Sequence, residues 1–207
     1  DQLPSVGAGN VLKDLITSKK FPVVTLSVIY RQENESLITL NAHMINKGEM
    51  PELNNKNGDF FLINRNTPSD CIDAVADLVT QRLPNTYNID PVKDIQVIVP
   101  YKKGTSGSVA INVTLQNKLN QKENFKKEVS FEDVTYREGD RIMQIKNNYK
   151  IKWFKKDRPE IDGEGIFNGE MGEIESINDK AREILVRFDD DRCAIYNFNE
   201  LRQLEHC

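Results

Sequence analysis

The chain is poor in the residues and segments that mark several protein classes. Its 207 residues include only three cysteines, Cys71, Cys193 and Cys207. Their odd number and wide spacing exclude a disulfide framework and a cysteine-based metal site. No apolar run approaches the roughly 18 residues of a membrane-spanning helix, and no signal-type stretch opens the chain. We therefore expect no metal site, no membrane contact and a reducing, cytoplasmic setting.

A strong overall charge is also lacking, since the formal net charge is −4. This excludes a globally basic nucleic-acid coat. The charges are nevertheless segregated along the chain. Lys102 to Lys127 holds six lysines and one glutamate, and Arg141 to Arg158 holds seven basic residues and one aspartate. Asp162 to Asp191 holds ten acids and three bases. Two basic stretches therefore remain inside a mildly acidic chain.

Residues 1–135 alternate helical and strand-like patterns. Apolar residues at helical spacing predict helices near residues 11–16, 37–45 and 72–79, and another that ends near Leu119. Mostly apolar runs predict buried strands at residues 21–30, 59–63 and 94–99. Such alternation is typical of an α/β domain, in which a parallel sheet carries helices on both faces.

Residues 136–204 have an all-β pattern. Short strand-like runs occur at residues 141–146, 183–188 and 193–198, and Asp189 to Asp191 predicts a hairpin turn between the last two. A long excursion is expected from Asn147 to Gly165. Four or five short strands in this length predict a small barrel.

The basic stretch from Lys146 to Arg158 contains Tyr149, Trp153 and Phe154. Lysines neutralise phosphates and aromatic faces stack on bases, so this composition indicates a surface for single-stranded nucleic acid. The alternative is a solvated loop whose Trp153 and Phe154 pack beneath the barrel.

A second candidate is the loop between the strand at 94–99 and the following helix. Its members Lys102, Lys103, Gly104, Thr105 and Ser106 offer cations, hydroxyls and backbone N–H groups to an anion such as a nucleic-acid phosphate. The loop lacks the residue order of a nucleotide-binding P-loop. An ordinary solvated loop explains it equally well.

A third candidate is Arg31, which follows the apolar run that ends near Tyr30. Ligands gather at the carboxyl ends of parallel strands, where an arginine can bind phosphate with two hydrogen bonds. A surface ion pair is the alternative.

Several segments together resemble one helicase family. They are Asp1-Gln2-Leu3-Pro4-Ser5-Val6-Gly7, Ile29-Tyr30-Arg31-Gln32, the segments 37–48 and 94–104, Gly139-Asp140-Arg141 with Met143-Gln144 and Lys146-Asn147-Asn148-Tyr149, and Phe167-Asn168-Gly169. The first is similar to the end of helicase motif III and the second to motif IV of superfamily 1. In combination they resemble the RecD-like ATP-dependent DNA helicases, relatives of the alpha chain of exodeoxyribonuclease V.

The resemblance implies that residues 1–135 form most of the second RecA-like motor domain and that residues 136–204 form an SH3-like barrel inserted in it. It assigns Gln2 to sensing the γ-phosphate of ATP and Arg31 to an arginine finger, with Gln32 beside it. Lys103 and the loop after it would face the DNA backbone. The barrel, with Lys146, Tyr149 and Trp153, would flank the path of the single strand.

The resemblance further implies a fragment of a 5′-to-3′ helicase of DNA recombination and repair. The parent would use ATP and Mg²⁺, and its partners would be single-stranded DNA, the first motor domain and other subunits of a nuclease–helicase complex. The ATP-binding motifs would precede Asp1 and the last motifs would follow Cys207, so the fragment itself is expected to hold no cofactor and to be inactive. The alternative is a non-catalytic module that binds nucleic acid or protein.

Overall fold

The computed structural model of the chain describes residues 9–25, 36–53 and 58–207. The chain divides into two compact units, residues 1–64 and residues 65–207. In the described ranges no helix is both long enough and apolar enough to cross a membrane. Gln2, Arg31 and Gln32 lie outside the described residues, and their predicted roles stay predictions.

The described residues of the first unit form two helices, α1 at Val11–Ser18 and α2 at Leu37–Asn46. The hydroxyl of Ser36 accepts from the Thr39 N–H and caps α2. The Asp59 carboxylate accepts from the Ser36 hydroxyl and, at 2.9 Å, from the Leu37 N–H. These hydrogen bonds, that from Ser36 first, lower the pKa of Asp59. A remote carboxylate therefore completes the N-terminus of α2.

The second unit begins with a helical segment that changes its winding. Helix α3 spans Pro68–Asp77, a π-helical turn covers Leu78–Arg82, and α4 spans Leu83–Tyr87. Pro84 lacks an N–H and its ring would crowd the carbonyl four residues earlier, which explains the wider turn before it. Helix α5 follows at Ser108–Leu119.

The α/β sheet predicted for residues 1–135 does not appear in the described residues. Residues 21–25, 60–63 and 95–99 have neither helical nor strand pairing. Every strand pair among the described residues is antiparallel. Many apolar side chains of these three unpaired segments are exposed, and 89% of Ile98 and 87% of Val24 are open to solvent.

The β-rich part of the second unit holds nine strands. They are β1 Glu128–Phe131, β2 Val134–Arg137, β3 Arg141–Gln144, β4 Asn148–Lys155, β5 Arg158–Ile166, β6 Met171–Asn178, β7 Glu183–Phe188, β8 Arg192–Asn197 and β9 Leu204–His206. Strands β1 and β2 form a hairpin, and the other seven form a sheet of order β5-β4-β8-β7-β6-β3-β9. A 3₁₀ helix, Phe198–Gln203, separates β8 from β9. The predicted hairpin around Asp189–Asp191 is confirmed, because β7 pairs with β8.

One apolar core draws side chains from all seven strands of the sheet. It includes Ile166 of one edge strand, β5, and Leu204 of the other, β9, together with the fully buried Ile142, Ile174 and Ile184. Residues from opposite edges can share a core only when the sheet curls around it. This mostly β domain is consistent with an SH3-like fold.

The excursion predicted from Asn147 to Gly165 is wrong, since these residues form the long hairpin β4–β5. Lysines alternate here with Ile151 and Trp153, and only the latter two point toward the core. That alternation is the pattern of a strand with one solvated face. The many charges on the solvated face made this strand pattern hard to detect in the sequence. Strand β5 forms one edge of the sheet.

Gly172 lies in β6, where this strand and β7 leave no room for a side chain. A Cβ at this position would lie 2.6 Å from the carbonyl oxygen of Arg187 in β7. Because that atom belongs to the backbone of a paired strand, it cannot move aside alone. We expect Gly172→Ala to lower the free energy of unfolding by about 2 kcal/mol, measured by urea denaturation. Ser176→Ala, at an exposed position of the same strand, is the control, and equal stabilities would contradict the packing argument.

Candidate nucleic-acid interface

Two exposed aromatic rings meet where β4 begins and β5 ends. The rings of Tyr149 and Phe167 contact edge to face, with centroids 5.4 Å apart and planes at 69°. Their residues are 68% and 39% exposed, respectively. Edge-to-face contact stabilises such a pair by more than the burial of apolar area alone, and it favours one arrangement of the two rings. Tyr149 is therefore an oriented ring at the surface rather than a mobile side chain.

A buried polar network holds the segment that carries Tyr149. Gln144 is fully buried; its Oε1 accepts from the Tyr196 hydroxyl at 3.0 Å, and its Nε2 donates to the Lys146 carbonyl at 2.7 Å. Asn148 Nδ2 donates to Gln203 Oε1 at 2.9 Å. Burial raises the pKa of Tyr196, so its hydroxyl remains a donor at neutral pH. The Gln144–Tyr196 bond lies in the interior, and the bond from Gln144 to the Lys146 carbonyl links this interior to the exposed segment before Tyr149.

Some basic side chains in the stretch from Arg141 to Arg158 pair with carboxylates, and others do not. Arg141 binds both oxygens of Asp189, which raises the pKa of Arg141. Lys155 donates to the Asp190 carbonyl, and Lys156 pairs with Glu175. By contrast, Lys146 and Lys150 form no ion pair with any carboxylate of the described residues. Carboxylates of the acidic segment, residues 162–191, thus neutralise Arg141 and Lys156, and Lys146 and Lys150 are among the cations of the stretch that stay without a carboxylate partner in the described residues.

Trp153, predicted as a nucleic-acid contact, packs against the core instead of standing free. It is partly buried, opposite Gly163 in β5 and Ala194 in β8. The guanidinium of Arg192 lies 5.5 Å from its ring centroid, within the range of a cation–π contact. This placement matches the alternative in which the indole packs beneath the sheet, while its contact with a single strand stays a prediction.

The loop before α5 exposes Lys102, Lys103, Gly104 and Thr105 and leaves Ser106 half-buried. Two of the N–H groups at the start of α5 are already occupied, because Ser108 donates to the Tyr101 carbonyl and Val109 to the Lys102 carbonyl. Lys102 pairs with Glu205 at 2.8 Å. Lys103 forms no ion pair within the described ranges, so it is the cation that this loop offers.

The Lys102–Glu205 ion pair brings the loop close to the second stretch. Glu205 in β9 lies opposite Met143 in β3, and Lys146 follows Met143 by three residues. Strand β3 ends at Gln144, two residues before Lys146. The loop before α5 is therefore linked by an ion pair to β9, the neighbour of the strand that leads into the basic stretch from Lys146 to Arg158.

The Asp140 carboxylate joins α5 to the sheet from an almost fully buried position. It accepts from Gln116 at 2.6 Å, Asn120 at 2.7 Å and the Arg137 N–H at 2.6 Å, and it lies 3.0 Å from His206 Nε2. The His206 ring packs on Tyr136, whose pKa burial raises to about 12. Helix α5 is thus fixed to β2, β3 and β9 by charge-assisted hydrogen bonds.

Comparison with known proteins accounts for this combination of a β domain and basic loops. Residues 111–188 match a family model described as the ATP-dependent RecD-like DNA helicase SH3 domain. The chain is similar to the RecD-like DNA helicases. The ATP-dependent RecD2 DNA helicase of Deinococcus radiodurans is 29% identical over 174 residues, which are 84% of this chain and 20% of that protein. The chain therefore spans about one fifth of the length of this relative.

The match to the family model begins within α5 and continues to the end of β7. It includes Asp140, Gln144 and Phe167, which stand in segments that carried the resemblance but to which the sequence assigned no role of their own. The sequence predicts Asp140 and Gln144 only as parts of a strand, because their hydrogen-bond partners are distant in sequence. For Phe167 the sequence does contain one indication, because the Asn168-Gly169 pair predicts a turn and Phe167 directly precedes it. No group of three or more potential ligands for a metal occurs in the described part of the chain.

Proposed function

We propose that the chain is part of an ATP-dependent 5′-to-3′ DNA helicase of recombination or repair, and that its second unit contacts single-stranded DNA. The match of residues 111–188 to the RecD-like helicase SH3 domain supports the helicase assignment. The activity of the whole protein is inferred from the similarity to the RecD2 relative, of which this chain covers 20%.

In this proposal the first unit contributes to the motor of the intact helicase. Gln2 senses the γ-phosphate, Arg31 acts as the arginine finger and Gln32 lies beside it. ATP and Mg²⁺ would be held mainly by the first motor domain of the parent. A cation that reaches the γ-phosphate on domain closure stabilises the transition state and couples hydrolysis to movement.

The apolar segments without strand pairing support a partial motor domain. We propose that residues 21–30, 59–63 and 94–99 are strands of a RecA-like parallel sheet in the intact helicase. Such strands are buried on both faces and are therefore apolar throughout. The exposure of Val24 and Ile98 is what this proposal requires of strands that lack their neighbours.

The observation that carries the DNA contact is the exposed ring of Tyr149, held against Phe167, in a segment where Lys146 and Lys150 pair with no carboxylate of the described residues. The cations would bind phosphates while the ring stacks on a base. Lys103, near Lys102 and the hydroxyls of Thr105 and Ser106, would extend this path across the loop before α5. We propose that Trp153, which is partly buried, also contacts the single strand through the exposed part of its ring.

Titration of a fluorescein-labelled oligothymidylate with the whole chain, followed by anisotropy at increasing salt, tests the DNA contact. We expect weak binding without sequence preference, whose affinity falls steeply with salt. Lys146→Ala should reduce the slope of log K against log salt by about 0.7, the value for one phosphate contact. Lys103→Ala and Trp153→Ala should weaken binding as well.

Lys180→Ala is the matched control, because Lys180 is exposed but lies in the acidic segment. It should leave affinity and slope unchanged. Absence of salt-dependent binding at low ionic strength would contradict the proposed DNA contact and favour a module that binds protein.

A further inference from the structure

We infer that Phe167 and Tyr149 together form a base-stacking platform, so that the second unit binds the unpaired bases of a single strand as well as its phosphates. This inference rests on the proposed contact with single-stranded DNA and adds Phe167 to it. The basic sequence stretch does not include Phe167, which β5 brings to Tyr149 from outside that stretch.

The rings are fixed from two directions. Gly165 has φ +104°, and a Cβ there would lie 2.9 Å from Phe167 Cζ, so this glycine allows the ring to lie over the backbone of β5. The Asn168 N–H donates to Asn147 Oδ1 at 2.9 Å, which links the Phe167 turn to the Tyr149 segment. The platform is therefore preorganised, and a base need not pay for ordering it.

Exposed aromatic pairs also suit a protein partner, but the surroundings favour a nucleic acid. Lys146 lies three residues before Tyr149 and Lys150 directly follows it in sequence, and neither pairs with a carboxylate of the described residues. Asn147 and Asn168, in the two segments that carry the rings, add polar amides near the pair. An apolar platform bordered by cations matches a ligand that alternates a flat base with an anionic phosphate.

Duplex DNA hides the faces of its bases, whereas a single strand can present them. A ring platform therefore gains affinity only from the bases of an unpaired strand, while the lysines bind any phosphate backbone. Stacking on an aromatic side chain tolerates every base, since each has a flat face. The platform would therefore distinguish single-stranded from double-stranded DNA without a preference for any base sequence.

The test compares two labelled oligomers of roughly 12 nucleotides, oligothymidylate and an abasic chain of the same length and charge. We expect the intact chain to bind oligothymidylate at least about fivefold more tightly than the abasic oligomer. Phe167→Leu, which retains an apolar side chain without a π face, should reduce this ratio, because only the Tyr149 ring then remains to stack on a base, and should leave the abasic affinity unchanged. Phe167→Tyr should preserve the ratio.

Tyr87→Leu is the control, because Tyr87 is exposed but lies at the end of α4, outside both basic stretches. Thermal unfolding should show Phe167→Leu folded. Salt-dependent binding that is equal for both oligomers would overturn the platform and leave the proposed phosphate contact intact. An absence of binding to either oligomer would overturn both.

Discussion

Arg31→Ala in an intact parent helicase is expected to reduce the DNA-stimulated ATPase turnover number by about 10³-fold or more, while ATP affinity changes little. An arginine finger acts on charge that develops at the γ-phosphate in the transition state, so its removal lowers the rate more than ground-state binding. Steady-state kinetics and binding of a labelled nucleotide separate the two effects.

Two further variants define the role of Arg31. Arg31→Lys retains the charge but loses the planar, two-pronged geometry, so we expect it to recover only part of the turnover. Arg82→Ala removes an exposed arginine from the π-helical turn and should have no effect. Unchanged turnover in Arg31→Ala would remove the finger assignment, and an equal loss of affinity and rate would indicate ordinary phosphate binding.

Asp140→Ala is expected to lower the melting temperature of the chain by about 10 °C. Only 3% of Asp140 is exposed. Its removal deprives the Arg137 N–H of its side-chain acceptor and leaves the amides of Gln116 and Asn120 with one hydrogen bond each to a backbone carbonyl. Loss of one member of a buried, charge-assisted group costs about 3–5 kcal/mol, and for a unit of this size each kcal/mol shifts the melting temperature by about 2–4 °C.

Circular dichroism during heating measures this change. Asp133→Ala, at an exposed aspartate between β1 and β2, is the matched control and should melt with the unaltered chain. Asp140→Asn tests the charge itself, because its amide retains one acceptor but sets an N–H₂ group against the surrounding donors. A melting temperature within about 2 °C of the unaltered chain for Asp140→Ala would contradict the central role of this carboxylate.

Local patterns predicted the parts of the fold that depend on near neighbours in sequence. Helices α1, α2 and α3 follow apolar spacing, and the β7–β8 hairpin follows from three aspartates between two apolar runs. The β4–β5 hairpin escaped prediction because its solvated face is so rich in lysine. Its burial pattern becomes evident only when the other strands cover the opposite face.

The candidate site depends still more on distant residues. Composition identified Tyr149 and the lysines around it, but not which lysines the acidic segment neutralises. That depends on partners such as Asp189 for Arg141 and Glu175 for Lys156, which lie 48 and 19 residues away. The pairing of Tyr149 with Phe167 and the links of Gln144 to Tyr196 depend in the same way on how the sheet curls.

The edge strand β5 has a consequence for self-association. A nine-residue edge would ordinarily invite pairing with the same edge of another molecule. Pro159 removes one N–H from this edge, and Glu160, Asp162 and Glu164 place like charges along one face of it. Two copies would therefore repel each other and lack a complete hydrogen-bond ladder. The strand that supports the Phe167 ring is thus also protected against the formation of aggregates through its open side.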